Sequence, residues 1–253
     1  MRDKIVAGNW KMNLSFEEAL QLANDINEWA TTNKPEAKVI IAPSAIYLQA
    51  IQETVDNEFV QVASQDVSAA EKGAFTGDVS AEQLDSIGIN TAIVGHSERR
   101  EYQFESDETI AKKLQQLFAK NITPILCVGE KLEERETDKH FDVVKSQILN
   151  ALQPQKVANL ANVVIAYEPV WAIGTGKTAS PEQAQEIHAY IRQVLKEAFG
   201  EEIANQTSIL YGGSVNAANA EELFAQPDID GGLVGGASLK VNDFSKIISA
   251  FKS

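Results

Sequence analysis

The chain has 253 residues, of which 44% are hydrophobic and 23% charged, a composition ordinary for a soluble globular protein. Its 22 Lys and Arg against 36 Asp and Glu give a formal net charge of −14, which argues against a general surface for nucleic acid or an anionic membrane. One cysteine rules out an intrachain disulfide, no apolar stretch is long enough to span a bilayer, and no signal peptide is apparent, so we expect a cytoplasmic protein without nucleic-acid or membrane partners.

Short apolar runs alternate with amphipathic helical patterns along the whole chain. The runs are almost continuously apolar, which is typical of parallel strands that are buried on both faces. In chain order the predicted strands are Ile5–Gly8, Val39–Ala42, Val60–Ala63, Thr91–Val94, Thr123–Val128, Val163–Tyr167, Ser208–Tyr211 and Gly231–Val234.

Helix start and stop signals lie between these runs. Ser15, Ser80 and Ser180 each stand three residues before a Glu or Gln, the spacing of a capping box. Gly200 is placed to end the helix that Ser180 begins, and Asn242 is predicted to cap the last helix.

Eight strand–helix units in about 250 residues predict an α/β fold, a single (β/α)8 barrel of eight parallel strands inside eight helices, with residues 1–253 as one domain. The alternative is an open, doubly wound sheet. That fold needs a glycine fingerprint after its first strand, which Gly8-Asn9-Trp10-Lys11 does not supply. The longest insertion, residues 65–79, is expected to carry function or a partner contact.

Polar residues follow several predicted strands, at the barrel face where function collects. Asn9 and Lys11 follow the first strand, His96 the fourth and Glu168 the sixth. A carboxylate at a strand end, followed by Pro169 and a glycine-spaced stretch, suggests a catalytic base beside a mobile lid.

The three histidines have different predicted settings. His96 precedes a polar turn, and a helix beginning there would keep its imidazole a neutral hydrogen-bond donor. His140 and His188 fall in helical stretches and are predicted to lie on the surface.

Two further carboxylates, Glu98 and Glu130, also follow strands. We expect them to pair with Arg99 and Arg135 nearby rather than to act as bases. Cys127 is expected to pack in the core near the site, since no feature suggests an activated thiolate.

The glycines offer two interpretations of anion binding. The stretch 174–178 looks like the end of a Walker A phosphate loop, but Trp171 stands where that motif needs a glycine. The pairs at Gly212-Gly213 and Gly235-Gly236 follow the last two strands, where such barrels bind phosphate. A non-catalytic phosphate- or nucleotide-binding barrel therefore remains the alternative to an enzyme. No His, Cys or carboxylate cluster has metal-ligand spacing, which argues against a metal-dependent sugar isomerase.

Taken together, five motifs that span the chain resemble the triosephosphate isomerases. They are Asn9-Trp10-Lys11-Met12-Asn13, Gly95-His96-Ser97-Glu98-Arg99-Arg100, Ala166-Tyr167-Glu168-Pro169-Val170-Trp171-Ala172-Ile173-Gly174-Thr175-Gly176, Tyr211-Gly212-Gly213-Ser214 and Leu233-Val234-Gly235-Gly236-Ala237-Ser238-Leu239. The resemblance implies interconversion of dihydroxyacetone phosphate and D-glyceraldehyde 3-phosphate, in glycolysis and gluconeogenesis, without metal or cofactor.

The resemblance also implies a role for each matching residue. Glu168 would be the base, His96 would polarise the carbonyl, and Lys11 would offset the substrate's charge. Asn9 would position substrate and lysine, and Glu98 would orient Lys11 and His96. Backbone N–H groups would hold the phosphate at Gly174, Ser214, Gly235 and Gly236, and a lid would close over it.

A homodimer is implied as well. The insertion 65–79 would enter the partner, with Thr76 reaching the partner's active site. The family commonly has Glu after Phe-Thr-Gly, whereas this chain has Asp78. If that acid pairs with Arg99 across the interface, its shorter side chain would weaken or re-route the contact.

Overall fold

The computed structural model describes residues 2–173 and 178–251, and its centre is a closed barrel of eight parallel strands. Each strand pairs with the next in sequence, and the last pairs with the first through Ile5 opposite Gly231. The strands are β1 Ile5–Asn9, β2 Lys38–Ala42, β3 Val60–Ser64, β4 Thr91–Val94, β5 Thr123–Val128, β6 Val164–Tyr167, β7 Ile209–Tyr211 and β8 Gly231–Val234.

The barrel prediction is confirmed, and the open-sheet alternative is wrong, because an open sheet leaves two edge strands whereas here β1 and β8 pair. Every predicted strand boundary lies within one residue of the observed one. This accuracy follows from burial on both faces, which makes each strand a continuous apolar run.

Helices surround the barrel, and more than one follows some strands. They are α1 Phe16–Asn33, α2 Leu48–Gln52, α3 Ala81–Ser86, α4 Ser97–Tyr102, α5 Asp107–Ala119, α6 Leu132–Glu136, α7 His140–Leu152, α8 Val157–Leu160, α9 Pro181–Phe199, α10 Glu201–Gln206, α11 Ala220–Phe224 and α12 Val241–Ile248. Among residues 2–173 and 178–251, no helix combines the length and apolar character needed to span a bilayer.

Local signals set most helix ends. Ser15, Ser80 and Ser180 each form the predicted capping box, and Gly200, at φ +95°, ends α9. The prediction for Asn242 is wrong: α12 begins at Val241, so Asn242 lies inside its first turn. The extended residue before Val241 leads straight from a 3₁₀ turn into the helix and takes the cap position.

The core has two layers. Inside the barrel, small and medium side chains such as Ala7, Ala63, Ile93 and Ala166 fill the axis. A larger layer, including Phe244 of α12, packs between the strands and the helices. Because the barrel interior is filled, a substrate site can form only at an end of the barrel.

Candidate active site

A cavity of about 1110 Å³ opens at the carboxyl ends of the strands. It brings together the residues predicted at five different strand ends. Its lining includes Asn9, Lys11, His96, Glu98, Glu168, Ser214, Gly235 and Gly236. Of the other predicted residues, Cys127 is buried in the barrel, Thr76 is exposed on the 65–79 loop, and Gly174 and the proposed lid segment around it lie outside the described residues.

His96 and Glu168 lie within hydrogen-bond distance of each other in this cavity. Atom Nε2 of His96 lies 3.0 Å from Oε1 of Glu168. At the other ring nitrogen, Nδ1 accepts a 3.2 Å hydrogen bond from the backbone N–H of Glu98, because His96 is the N-cap of α4. An imidazole that accepts at Nδ1 carries its proton on Nε2, so this geometry fits a neutral ring that donates toward Glu168.

Ser97 completes the surroundings of the carboxylate. Its backbone N–H donates to Oε2 of Glu168 at 2.9 Å, and its hydroxyl donates to Oε1 at 3.1 Å. Glu168 is 2% exposed, so these donors replace the water that an ionised carboxylate requires. We assigned no role to Ser97 from the sequence, although its place beside His96 in a strand-end motif was a usable signal.

Lys11 is held in an unusual backbone conformation. Its φ of +54° lies in the left-handed region, which is costly for a residue with a Cβ. Its N–H donates to Oδ1 of Asn9 at 3.0 Å, while its carbonyl accepts from Gln65 at 2.8 Å and from Ser44 at 3.1 Å. Sequence reasoning missed Gln65 and Ser44, since only the barrel brings three loops to one peptide.

The ammonium group of Lys11 pairs with Glu98. The predicted pairing of Glu98 with an arginine is therefore wrong, because α4 turns Glu98 toward the first loop. Among the described basic residues that line the cavity, Arg100 bonds Asp107 at 2.6 Å and Lys131 pairs with a surface glutamate. Lys11 is thus the described cation best placed to meet an anionic substrate.

Cys127 lies directly beneath the carboxylate. It is fully buried inside the barrel, and this burial, followed by the nearby charge of Glu168, raises the pKa of its thiol well above the usual value. The expectation that Cys127 packs in the core is confirmed.

Backbone after β7 and β8 forms part of the cavity wall. Ser214 follows β7, and Gly235 and Gly236 begin a 3₁₀ turn that ends at Leu239. A Cβ added at Gly236 would meet nothing within 4 Å, so this wall leaves room for a ligand group close to the backbone.

Glu130 has a structural setting rather than a place in the cavity. It has no exposed surface, and its Oε1 accepts from the hydroxyl of Tyr167 at 3.0 Å and from the indole N–H of Trp171 at 2.8 Å. Arg135 lies 3.6 Å away, as expected from the sequence. Burial raises the pKa of Glu130.

Both other histidines are buried, so their predicted surface positions are wrong. His140 is 7% exposed at the start of α7, and His188 has no exposed surface. His188 packs between the rings of Tyr167 and Tyr211, with Nδ1 3.1 Å from the carbonyl oxygen of Asp228. The apolar stripe of α9 passes through position 188 and carries the histidine inward.

The 65–79 loop is braced within its own chain. Ser68 donates to Asp78 at 2.6 Å, and Arg99 pairs with Asp66 at 2.9 Å. Buried Lys113 also bonds Asp66, at 2.6 Å.

Within residues 2–173 and 178–251, no group of three or more His, Cys, Asp or Glu side chains is arranged to hold a metal ion.

Comparison with known proteins agrees with this arrangement over the full length of the chain. The model of the family "Triosephosphate isomerase" matches residues 4–251. A triosephosphate isomerase of Bacteroides fragilis is 50% identical over 251 residues, 99% of this chain and 100% of the relative. Relatives of the same name from Phocaeicola vulgatus (48% identical, covering 100% of both chains) and Rhodopirellula baltica (50% identical, 98% of both) match similarly. With its closed barrel and this cavity at the strand ends, the chain belongs to the triosephosphate isomerase family.

Proposed function

We propose that the chain interconverts dihydroxyacetone phosphate and D-glyceraldehyde 3-phosphate by proton transfer through an enediolate, with Glu168 as the base. It is an intramolecular aldose–ketose isomerase of glycolysis and gluconeogenesis. The observation that supports the assignment of the base is the 3.0 Å contact between His96 Nε2 and Glu168 Oε1, in one cavity with the ammonium of Lys11.

Glu168 removes the proton from the substrate carbon. In the structure its carboxylate is occupied by Ser97 and His96, and a bound substrate oxygen would take over the Nε2 donor of His96. The carboxylate then moves off its donors toward the substrate.

His96 and Lys11 stabilise the enediolate. A neutral imidazole donates to the substrate oxygens from Nε2 and passes protons between them, while the Nδ1 contact with α4 holds the ring in place. Lys11 supplies positive charge in a chain of net charge −14, and Asn9 fixes the turn that aims it. Placing the Lys11 ammonium in the cavity requires a left-handed backbone conformation at Lys11, which costs conformational free energy.

The phosphate is held by backbone N–H groups at Ser214, Gly235 and Gly236. A backbone cradle suits this acidic chain, because peptide N–H groups bind an anion without extra basic residues. Gly174 is proposed as a further donor from a lid, and both lie outside the described residues.

Replacement of the base tests the assignment. Glu168→Gln keeps the size of the side chain but removes its basicity, so kcat should fall by about 10²–10⁴-fold or more with the circular dichroism spectrum unchanged. Glu202→Gln, on exposed α10, is the matched control and should keep wild-type turnover. Near-normal turnover of Glu168→Gln would reject Glu168 as the base.

Isotope exchange tests the reaction itself. During turnover in D₂O, deuterium should enter the product at the carbon that is reprotonated, and should enter substrate that re-forms from the enediolate at the carbon that lost its proton. Phosphate binding without deuterium uptake would favour a non-catalytic barrel instead.

A homodimer through the 65–79 loop is part of the proposal, with Thr76 entering the partner's active site. Exposed apolar side chains near the loop support it: Met12 is 93% exposed, Ile46 83% and Phe75 52%. Asp78 bonds Ser68 in its own loop, so the interface is expected not to depend on an Asp78–Arg99 pair. Light scattering at micromolar concentration should give twice 27.6 kDa.

We also propose that the chain folds as one domain and works in the cytoplasm. Its glycolytic reaction supports the location, and cell fractionation with activity assays tests it.

A further inference from the structure

The residue that follows β5 is held by a glutamine side chain from α7. Gly129 comes directly after Val128, the last residue of β5, and Gln147 lies in the middle of α7. The side-chain Oε1 of Gln147 accepts from the backbone N–H of Gly129 at 2.8 Å, and its Nε2 donates to the carbonyl oxygen of Gly129 at 3.1 Å. One side chain therefore satisfies both backbone polar groups of a residue just beyond the strand.

Gly129 lies against the backbone of Glu168. A Cβ added at Gly129 would be 1.8 Å from the carbonyl oxygen of Glu168 and 3.1 Å from its Cα. The N–H of Glu168 donates to the carbonyl of Val128 at 2.7 Å. From the side of β7, a Cβ added at Gly212 would be 3.0 Å from Cγ of Glu168. Because Glu168 is enclosed between these two glycines, a displacement of Gly129 would also displace the base.

An amide side chain suits this contact with Gly129. It offers an acceptor and a donor on neighbouring atoms, so it can bond the N–H and the carbonyl of the same residue, and it adds no charge near the Glu168 carboxylate. Two bonds to one residue fix its orientation as well as its position. A long helix such as α7, His140–Leu152, is a firmer support for Gly129 than the loop that follows it.

We propose that Gln147 is a positioning residue for the catalytic base. It fixes the backbone of Gly129, and the contact between Gly129 and Glu168 transmits this position to the base. Gln147 therefore acts through Gly129 and not on the reacting atoms. This inference rests on the proposed role of Glu168 as the base.

Gln147→Met tests the proposal, because Met keeps the unbranched shape of Gln but removes both hydrogen bonds. We expect kcat to fall about tenfold or more, since a catalytic group displaced by about 1 Å can lose about 10²-fold in rate. KM should change less than about threefold, because the phosphate contacts after β7 and β8 do not involve α7. Gln115→Met, at an exposed position of α5, is the matched control and should leave both constants unchanged. A kcat for Gln147→Met equal to that of Gln115→Met would overturn the proposal.

A second variant and a double-mutant cycle separate positioning from a general loss of stability. Gln147→Asn keeps the amide but shortens its reach, so it should also lower kcat, with a circular dichroism spectrum like that of the wild type. In the Glu168→Gln background no base remains to be positioned, so Gln147→Met should cost less than about twofold in the residual kcat. Equal fold losses in the two backgrounds would show that Gln147 does not act through the base.

A spectroscopic readout distinguishes failure of this proposal from failure of the assigned base. In protein labelled with ¹³C at the valine carbonyls and ¹⁵N in glycine, NMR reports the amide between Val128 and Gly129, whose cross-peak is assigned by its loss in Val128→Ile. Gln147→Met should shift this cross-peak and Gln115→Met should not. If Glu168→Gln keeps full activity while the cross-peak still shifts, the base assignment fails and the contact between Gln147 and Gly129 stands. A cross-peak that does not move in Gln147→Met rejects the contact itself.

Discussion

At the residue scale, the cavity is organised by how each buried charge is balanced. Glu168 has three donors, from Ser97 and His96, and they explain why a nearly fully buried carboxylate is tolerated although no lysine or arginine among the described residues forms a salt bridge with it. Lys11 is balanced by Glu98 at the cavity wall. The acid and the cation therefore reach the same cavity without pairing with each other, and each is available to substrate.

His188 predicts how stability depends on pH. The pKa of His188 is lowered from 6.5 to about 3, and burial is the largest cause of this shift. Between these pH values the unfolded chain binds a proton that the folded chain does not. The contribution of His188 to the free energy of unfolding is therefore fully present above about pH 6.5 and is lost as the pH falls toward 3. At pH 5 the loss from this residue is about 2 kcal/mol.

His188→Gln should therefore flatten the pH dependence of unfolding. Urea unfolding at pH 7.5, 6.5, 5.5 and 5.0 measures it for both proteins. The variant is expected to be less stable at pH 7.5, because Gln fits the aromatic site poorly, but to lose about 2 kcal/mol less than wild type on going to pH 5. Parallel stability curves for the two proteins would show that His188 does not titrate as proposed.

At the scale of elements, the site depends on close backbone crossings between neighbouring strand ends. Gly129, after β5, lies so near β6 that an added Cβ would be 1.8 Å from the carbonyl oxygen of Glu168. Gly231, at the start of β8, is equally close to Ile5 O and has φ +141°. These contacts let adjacent strands approach closely, and the first of them fixes the position of the Glu168 backbone relative to β5.

Gly129→Ala should accordingly be among the most damaging small substitutions. The methyl group meets backbone rather than a movable side chain, so we expect a loss of about 3 kcal/mol in unfolding free energy and a marked fall in kcat. Gly200→Ala is the control, since its Cβ would meet nothing within 4 Å. Only the positive φ of +95° disfavours alanine there, and we expect a loss of about 1 kcal/mol in unfolding free energy. Urea denaturation and steady-state kinetics compare the two; equal destabilisation would contradict the crossing argument.

At the scale of the whole molecule, closing the barrel gathers the eight loops that follow the strands at one end. One of them, the 65–79 loop, contributes no residue to the lining of the cavity. The base of that loop is tied to the active site, because Gln65 bonds the carbonyls of Lys11 and Ala42. Association at this loop would therefore also support the strained backbone of Lys11.

Phe75→Asp tests this link between assembly and activity. A charge on the exposed apolar loop should oppose the proposed dimer, so light scattering should show a mass near 27.6 kDa and specific activity should fall at low protein concentration. Val157→Asp places the same charge on an exposed apolar residue of α8 and should leave mass and activity unchanged. If the Phe75→Asp protein remained dimeric and fully active, the dimer interface would not lie at the 65–79 loop.

Features that arise within a few residues were predictable. Apolar runs located the strands, and a serine three residues before Glu or Gln located helix starts, because capping bonds span only three positions. The resemblance across five motifs identified the family. Even the burial of His188 had a local signal, since it lies between Ala184 and Ile191 on the apolar stripe of α9.

Contacts between distant parts of the chain were decided only by the tertiary structure. The sequence by itself determined the eight strands, the helix starts at Ser15, Ser80 and Ser180, and the identity of the strand-end residues, since each depends on local pattern. Residue patterns did not reveal that Glu98 would pair with Lys11 rather than an arginine, a contact that only the family resemblance implied, or that Ser97 would bond Glu168 from 71 positions away. Those choices follow from closure of the barrel, which sets the distances between strand ends and leaves each buried charge only the partners within its reach.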